Sequence, residues 1–254
     1  MLAAQYLKQR MQFRADFFFE IFGIMIVKLV ELLAFWVIFH SITELGGWNF
    51  YEMLFLYGFS LLAMSPQQLL LDNGWSLSHK VVTGEFLKYC FRPVNLLFYF
   101  MSETVDVKGF SQCLLGLVFL VYSWVNLGIP VTFYNIVLLL VFMLGAVFIC
   151  MGLLIFSCAF GFMGGATNAA MMLASDLKEY SRYPLTIFNT SLRVIFTIII
   201  PIGFVAYYPA SFFVKAEETI PFFVYFSPVI GFLFFWLTCK FWLYHARRYA
   251  GTGT

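Results

Sequence analysis

The sequence predicts an all-α, polytopic integral membrane protein with six transmembrane helices and both termini on the cytoplasmic side. Three observations predict it. Charged residues make up 11% of the 254 positions, less than half of the roughly 25% usual in soluble domains. Hydrophobic residues reach 62%, with 34 Phe, more apolar surface than a soluble chain of this length can hide. The basic residues also collect on one side of the apolar runs. This composition excludes a water-soluble enzyme, a nucleic-acid binder and a disordered chain. The net charge of +2 says little; where the charges sit says more.

A spanning helix needs about 20 mostly apolar residues to cross a hydrocarbon core of roughly 30 Å. Six runs qualify: 17–39, 50–71, 109–127, 133–160, 192–208 and 222–243. Helices follow because a spanning segment must satisfy its own backbone, and no short runs of alternating polarity suggest a barrel.

With six spans, the termini share one side with segments 72–108 and 161–193. That side holds every Lys and Arg except Lys28, inside the first span, and Lys215. The bias makes both termini cytoplasmic. The five cysteines, Cys90, Cys113, Cys150, Cys158 and Cys239, fall in spans or on that side, so no disulfide framework is expected. The first apolar run is too long for a cleaved signal peptide.

Residues 1–16 read as an amphipathic interfacial helix. Leu2, Tyr6, Phe13 and Phe17 recur at helical spacing, and Arg10 and Arg14 suit anionic headgroups. The six-span domain then occupies 17–243, and 244–254 form a short cytoplasmic tail.

Recognisable catalytic machinery is missing. There is no G-x-x-x-x-G-K-[ST] phosphate loop and no G-x-S-x-G elbow. His40, His79 and His245 lie far apart, with no metal-ligand spacing. Gly161, Gly164 and Gly165 follow no strand and suit close backbone approach instead.

Charges inside spans are costly, so each calls for a role. Lys28 and Glu31 are three apart and can neutralise each other, as a structural pair or as part of a polar path. Pro201, within the fifth run, should kink it, either as a packing irregularity or as a hinge.

Two cytoplasmic segments are more specific. Segment 72–95 opens on the turn signature Asp72-Asn73-Gly74. It continues as two short amphipathic pieces broken at Gly84 and stopped by Pro93. Such pieces lie on the inner leaflet or dock a cytoplasmic partner. Segment 161–190 holds the polar stretch 175–182, after which Pro184 forces Tyr183 out of helical geometry. The connection 209–221 is too apolar for an ordinary loop and fits short helices dipping back into the membrane.

The run Arg182-Tyr183-Pro184-Leu185-Thr186-Ile187-Phe188, with Leu192-Arg193, Thr197, Pro201 and Tyr207-Tyr208-Pro209-Ala210, resembles the ABC-2 type permeases. More narrowly, it is similar to a short six-span subgroup once described only as a domain of unknown function. Thr83-Gly84-Glu85, Leu87 and Arg92-Pro93-Val94-Asn95 resemble that subgroup's first cytoplasmic loop. Asn189-Thr190 departs from the pattern, where Pro or Gly beside a bulky residue is expected. The resemblance covers nearly the whole chain.

It implies a type V, exporter-like fold and a non-catalytic permease subunit in the inner membrane of a prokaryote. ATP and Mg would be bound by two copies of a cytoplasmic ABC ATPase. A second permease, identical or homologous, and membrane lipid would complete the assembly, with no nucleic acid. The ATPase-coupling residues would be Lys80, Thr83, Gly84, Glu85, Lys88, Arg92 and Pro93, with Asp176, Arg182, Tyr183 and Pro184 as a second contact. Lys28, Glu31 and Pro201 would belong to a translocation path or a structural pair. Two alternatives come from other classes: a secondary transporter or channel driven without ATP, and a non-transporting scaffold. The sequence leaves the cargo open.

Overall fold

The computed structural model describes residues 14–104, 106, 108–163, 167–215 and 222–249. Most of the expected interfacial helix at 1–16 lies outside these residues. So do Gly164 and Gly165, positions 216–221 of the outer connection, and the tail beyond 249. Among the described residues there is no strand, only an isolated antiparallel bridge between Leu45 and Trp48.

Eleven α-helices are described. They are α1 (Arg14–Ser41), α2 (Phe50–Leu70), α3 (Leu77–Val82), α4 (Leu87–Cys90), α5 (Leu96–Met101), α6 (Lys108–Asn126), α7 (Phe133–Ala159), α8 (Thr167–Glu179), α9 (Thr190–Val194), α10 (Tyr207–Val214) and α11 (Ser227–Arg248). Five stretches are long and apolar enough to cross a membrane: Ile21–Ser41, Phe50–Leu70, Gly109–Asn126, Phe133–Met163 and Phe222–Arg248. They correspond to five of the six predicted runs.

Local chemistry sets the ends of these helices. Asn49 Oδ1 accepts from the Glu52 N–H at 3.0 Å, and the Glu52 carboxylate accepts from the Asn49 N–H at 2.9 Å. This reciprocal cap satisfies two donors at the start of α2. Thr132 caps α7, and Asn189, the residue that departs from the family pattern, caps α9 through the Leu192 N–H at 2.9 Å.

Glycines let the long helices approach closely. A Cβ on Gly58 of α2 would stand 2.7 Å from the Leu120 nitrogen of α6, and one on Gly231 of α11 would overlap the Gly145 carbonyl of α7. Lipid is as apolar as Leu, so such backbone contacts supply packing that the hydrophobic effect cannot. The buried apolar residues form two clusters. One is centred on α2, α6 and α7; the other lies where α11 ends, around Phe86, Tyr89, Phe100 and Trp242.

The predicted fifth span is corrected. Residues 192–208 do not form one helix. α9 passes into a π-helical turn at Ile195–Ile199, the backbone becomes extended at Ile200 (φ −122°, ψ 99°), and a 3₁₀ turn follows at Ile202–Phe204. Pro201 cannot donate to a helical ladder and fixes its own φ, so the run breaks there rather than kinking. The chain then folds back, and the Thr197 and Tyr208 hydroxyls bond at 2.8 Å.

A different segment runs the length of the bundle. Met171 of α8 lies against Gly74, just past the C-terminus of α2. Lys178 bonds Gln67, the Ser181 and Ser60 hydroxyls meet at 2.7 Å, and the Arg182 guanidinium faces the Tyr57 ring. Thr186 finally donates to the Gly46 carbonyl at 2.7 Å, in the loop before α2. Residues 167–187 thus travel antiparallel along all of α2, which is about 30 Å long at 1.5 Å per residue. Thr186 touches the 42–49 connection, whereas the sequence predicts 161–190 and that connection on opposite sides. Hydropathy does not single out this segment because it carries Lys178, Glu179 and Arg182, whose polar groups are paired within the bundle.

Candidate functional site

Glu31, halfway along α1, is the centre of a polar cluster within the apolar bundle. Lys28 Nζ donates to both of its oxygens at 3.0 and 3.2 Å. The Tyr57 hydroxyl of α2 donates at 2.6 Å, and the Arg182 guanidinium lies at 2.5 Å. Arg182 also pairs with Glu179 and donates through Nε to the Glu179 carbonyl at 2.9 Å. The spacing of Lys28 and Glu31 on one helix face is legible in sequence. Tyr57 and Arg182 are not, because only folding brings α2 and the 180–182 turn beside α1.

Toward the C-terminal end of α2 the polar chain continues through Ser60, Ser181, Lys178 and Gln67. Ser181 donates to the Lys178 carbonyl at 2.6 Å. Ser60, Gln67, Lys178, Tyr57 and Arg182 line a cavity of about 460 Å³ between α1, α2 and α8. Asp72 and Trp75 place its other end beside the 72–76 turn. Polar groups at this depth are tolerated where they pair with one another or face a cavity, and both conditions hold here. Sequence reasoning missed Gln67, Lys178 and Tyr57; the available signal was Gln67-Gln68 inside an otherwise apolar run.

The second polar assembly is the hairpin formed by residues 72–104. Gly84 turns with φ 75°, a conformation that side chains disfavour. The turn folds α4 back so that Phe86 is enclosed by Tyr89, Phe100, Phe162, Trp242 and Tyr249. Glu103 gathers the segment's donors. It accepts from Lys80 at 2.6 Å, Lys88 at 2.9 Å and Asn73 at 3.2 Å, and from the Tyr89 hydroxyl. Burial works against its charge, but the hydrogen bonds from Lys80, Tyr89 and Lys88 outweigh it and hold the carboxyl down at about 2. The Tyr89 phenol is pushed up, first by burial and then by the Glu103 carboxylate. Nothing in the sequence around Glu103 distinguishes it from any surface glutamate.

The sequence-predicted coupling residues therefore separate into groups. Lys80 and Lys88 are drawn to Glu103. Thr83, Glu85, Arg92 and Pro93 are exposed, beside the equally exposed Val82, Phe91 and Val94. Arg92 leans over the Tyr99 ring. Asp176 is exposed on α8, while Tyr183 packs against Phe35 and Arg182 and Pro184 are buried. Arg182 is thus turned into the bundle, far from the 72–95 hairpin. Pro201 lies in the broken run, away from Lys28 and Glu31.

Searches of curated proteins and of solved structures returned no match. A scan of protein families matches residues 25–253 to the family described as ABC-2 family transporter protein. That match spans nearly the whole chain, takes in four of the five apolar helices complete and most of the first, and includes both polar assemblies. The chain belongs to the ABC-2 family of transporter membrane proteins.

Proposed function

We propose that this chain is the permease subunit of an ATP-driven ABC-2 exporter, worked by a separate cytoplasmic ATPase. The observation that carries the reading is the pairing of two features: a polar cavity inside an apolar bundle, and an exposed, partly apolar hairpin at the end of that cavity. The chain has no phosphate loop of its own. Two ATPase copies, each holding ATP and Mg, would press on the hairpin around Glu85 and Arg92. A second permease, identical or homologous, would face this one across the membrane and close the path.

The topology that fits has six crossings: α1, α2, α6, α7, residues 167–187 and α11. Irregular backbone at membrane depth is sustained where protein or a cavity covers it, as α2 covers 180–187. Both termini then lie inside, in the inner membrane of a prokaryote. Lys80, Lys88, Arg92, Arg247 and Arg248 fall on the inner side and only Arg193 and Lys215 on the outer, in keeping with the basic-residue rule. The broken run 190–214 becomes a re-entrant outer unit, tied to the 42–49 connection by Lys215, which donates to the Gly47 carbonyl at 2.7 Å.

The test is capture of the tagged chain from native membranes in mild detergent. ATP-hydrolysing activity should be retained with it and should fall in Glu85→Arg and Arg92→Glu variants. A stable permease isolated without any ATPase would count against the reading. The Lys28–Glu31–Arg182 cluster favours one competitor, a transporter driven by an ion gradient; transport that persists without ATP and stops in Glu31→Gln would select it.

A further inference from the structure

The cations that face the cavity are not equally paired. Lys28 is shared with Glu31, and Arg182 lies between Glu31 and Glu179. Lys178 is 4% exposed and also lines the cavity. Among the described residues it has no carboxylate within ion-pair distance; its ammonium donates to the neutral Gln67 amide oxygen alone. An ammonium carries three donors, and a buried one without a counter-charge is costly to keep. Asp72 and Asp106, at the inner end of the cavity, have partners of their own.

Among the described residues, the α1 wall of the cavity is open. A Cβ added to Gly23 of α1 would meet no described residue within 4 Å, although Gly23, Ile24 and Val27 border the cavity. α1 therefore covers this space without filling it, leaving a lateral approach between α1 and α2. The volume of about 460 Å³ suits a head group and the start of whatever it is attached to.

We infer that Lys178 is the recognition point for an anionic oxygen head group, a phosphate or phosphate ester, that enters this cavity and supplies the missing counter-charge. Gln67 is then the neutral acceptor that occupies the ammonium until the ligand arrives. The inference rests on the cavity belonging to a permease path. ATPase capture is therefore scored separately, so that loss of anion binding and loss of the permease reading are told apart.

The test uses the full chain, purified in neutral detergent and supplied with phosphatidylglycerol or phosphatidylcholine at equal amounts, with retention read by native mass spectrometry. Phosphatidylglycerol should be retained about tenfold better, the discrimination that one charge-assisted contact supplies. Lys178→Met should abolish the preference and Lys178→Arg should restore it. Millimolar inorganic phosphate separates the sources. A Lys178-dependent rise in melting temperature with phosphate alone assigns a soluble phosphate, and a preference seen only with the lipid assigns a lipid head group. If Lys178→Met does not fold, Gln67→Leu decides: anionic retention should hold or rise, because the ammonium then has only the ligand. Equal retention of the two lipids by the unaltered chain with no phosphate effect, or an anionic preference unchanged in Lys178→Met, would overturn the inference. So would a fall in anionic retention in Gln67→Leu.

Discussion

Two segments lie beside α2, and they are built in opposite ways. α1 is long and apolar, yet only 6% of its core stretch is buried by the rest of the chain. Residues 167–187 are part helix and part 3₁₀ turn, carry Lys178, Glu179 and Arg182, and are fixed to α2 and α1 by hydrogen bonds and ion pairs. The difference shows what each kind of patterning reports. An apolar helix gains little from its neighbours because lipid solvates it equally well, so its hydropathy predicts insertion and says nothing of packing. A polar segment at that depth has no such solvent, and its groups must find partners within the protein. The crossing that hydropathy reads best is thus the one this chain holds least. α1 is left with a broad face that the other described residues do not cover.

The comparison can be broken by unequal substitutions. The largest effect is expected at Arg182. Arg182→Ala leaves Glu31 and Glu179 without their shared partner and should cost about 3 kcal/mol or more in SDS-induced unfolding, whereas Arg182→Lys should recover part of it. Glu103→Gln should cost about 1 kcal/mol, since it weakens several hydrogen bonds at a partly exposed site. Acid should mimic that change. The Glu103 carboxyl is held at about 2 in the folded chain, against roughly 4.3 when unfolded. Its contribution is therefore complete above about pH 4.3 and is lost as the pH falls toward 2, and Glu103→Gln should remove that part of the acid sensitivity. Leu33→Ala, on the exposed face of α1, should stay within about 0.5 kcal/mol. A Leu33→Ala cost equal to that of Arg182→Ala would erase the contrast.

Much of this architecture is legible in the amino-acid order. Five apolar runs match long helices because length and hydropathy are local properties, and the Lys28–Glu31 pair follows from helical spacing alone. Gly84 and Pro201 interrupt their segments for reasons intrinsic to those residues. What escapes is whatever depends on a distant partner. Glu103 is ordinary until Lys80, Lys88 and Tyr89 converge on it. Segment 167–187 reads as a polar cytoplasmic stretch until α2 is placed beside it, and its polarity then becomes the reason it can lie there. The run 192–208 fails as a span for the converse reason: its composition is apolar enough, but Ile200-Pro201 breaks the backbone in the middle.

The placement of 167–187 is open to a direct measurement. Thr190, just past this segment, is exposed, and Cys90 is exposed on the 72–104 hairpin. In intact cells carrying Thr190→Cys, a membrane-impermeant maleimide should label the new cysteine from outside, while Cys90 should react only after permeabilisation. If Thr190→Cys also reacts only after permeabilisation, residues 167–187 do not cross the membrane. The polar cavity would then have no place in a transport path.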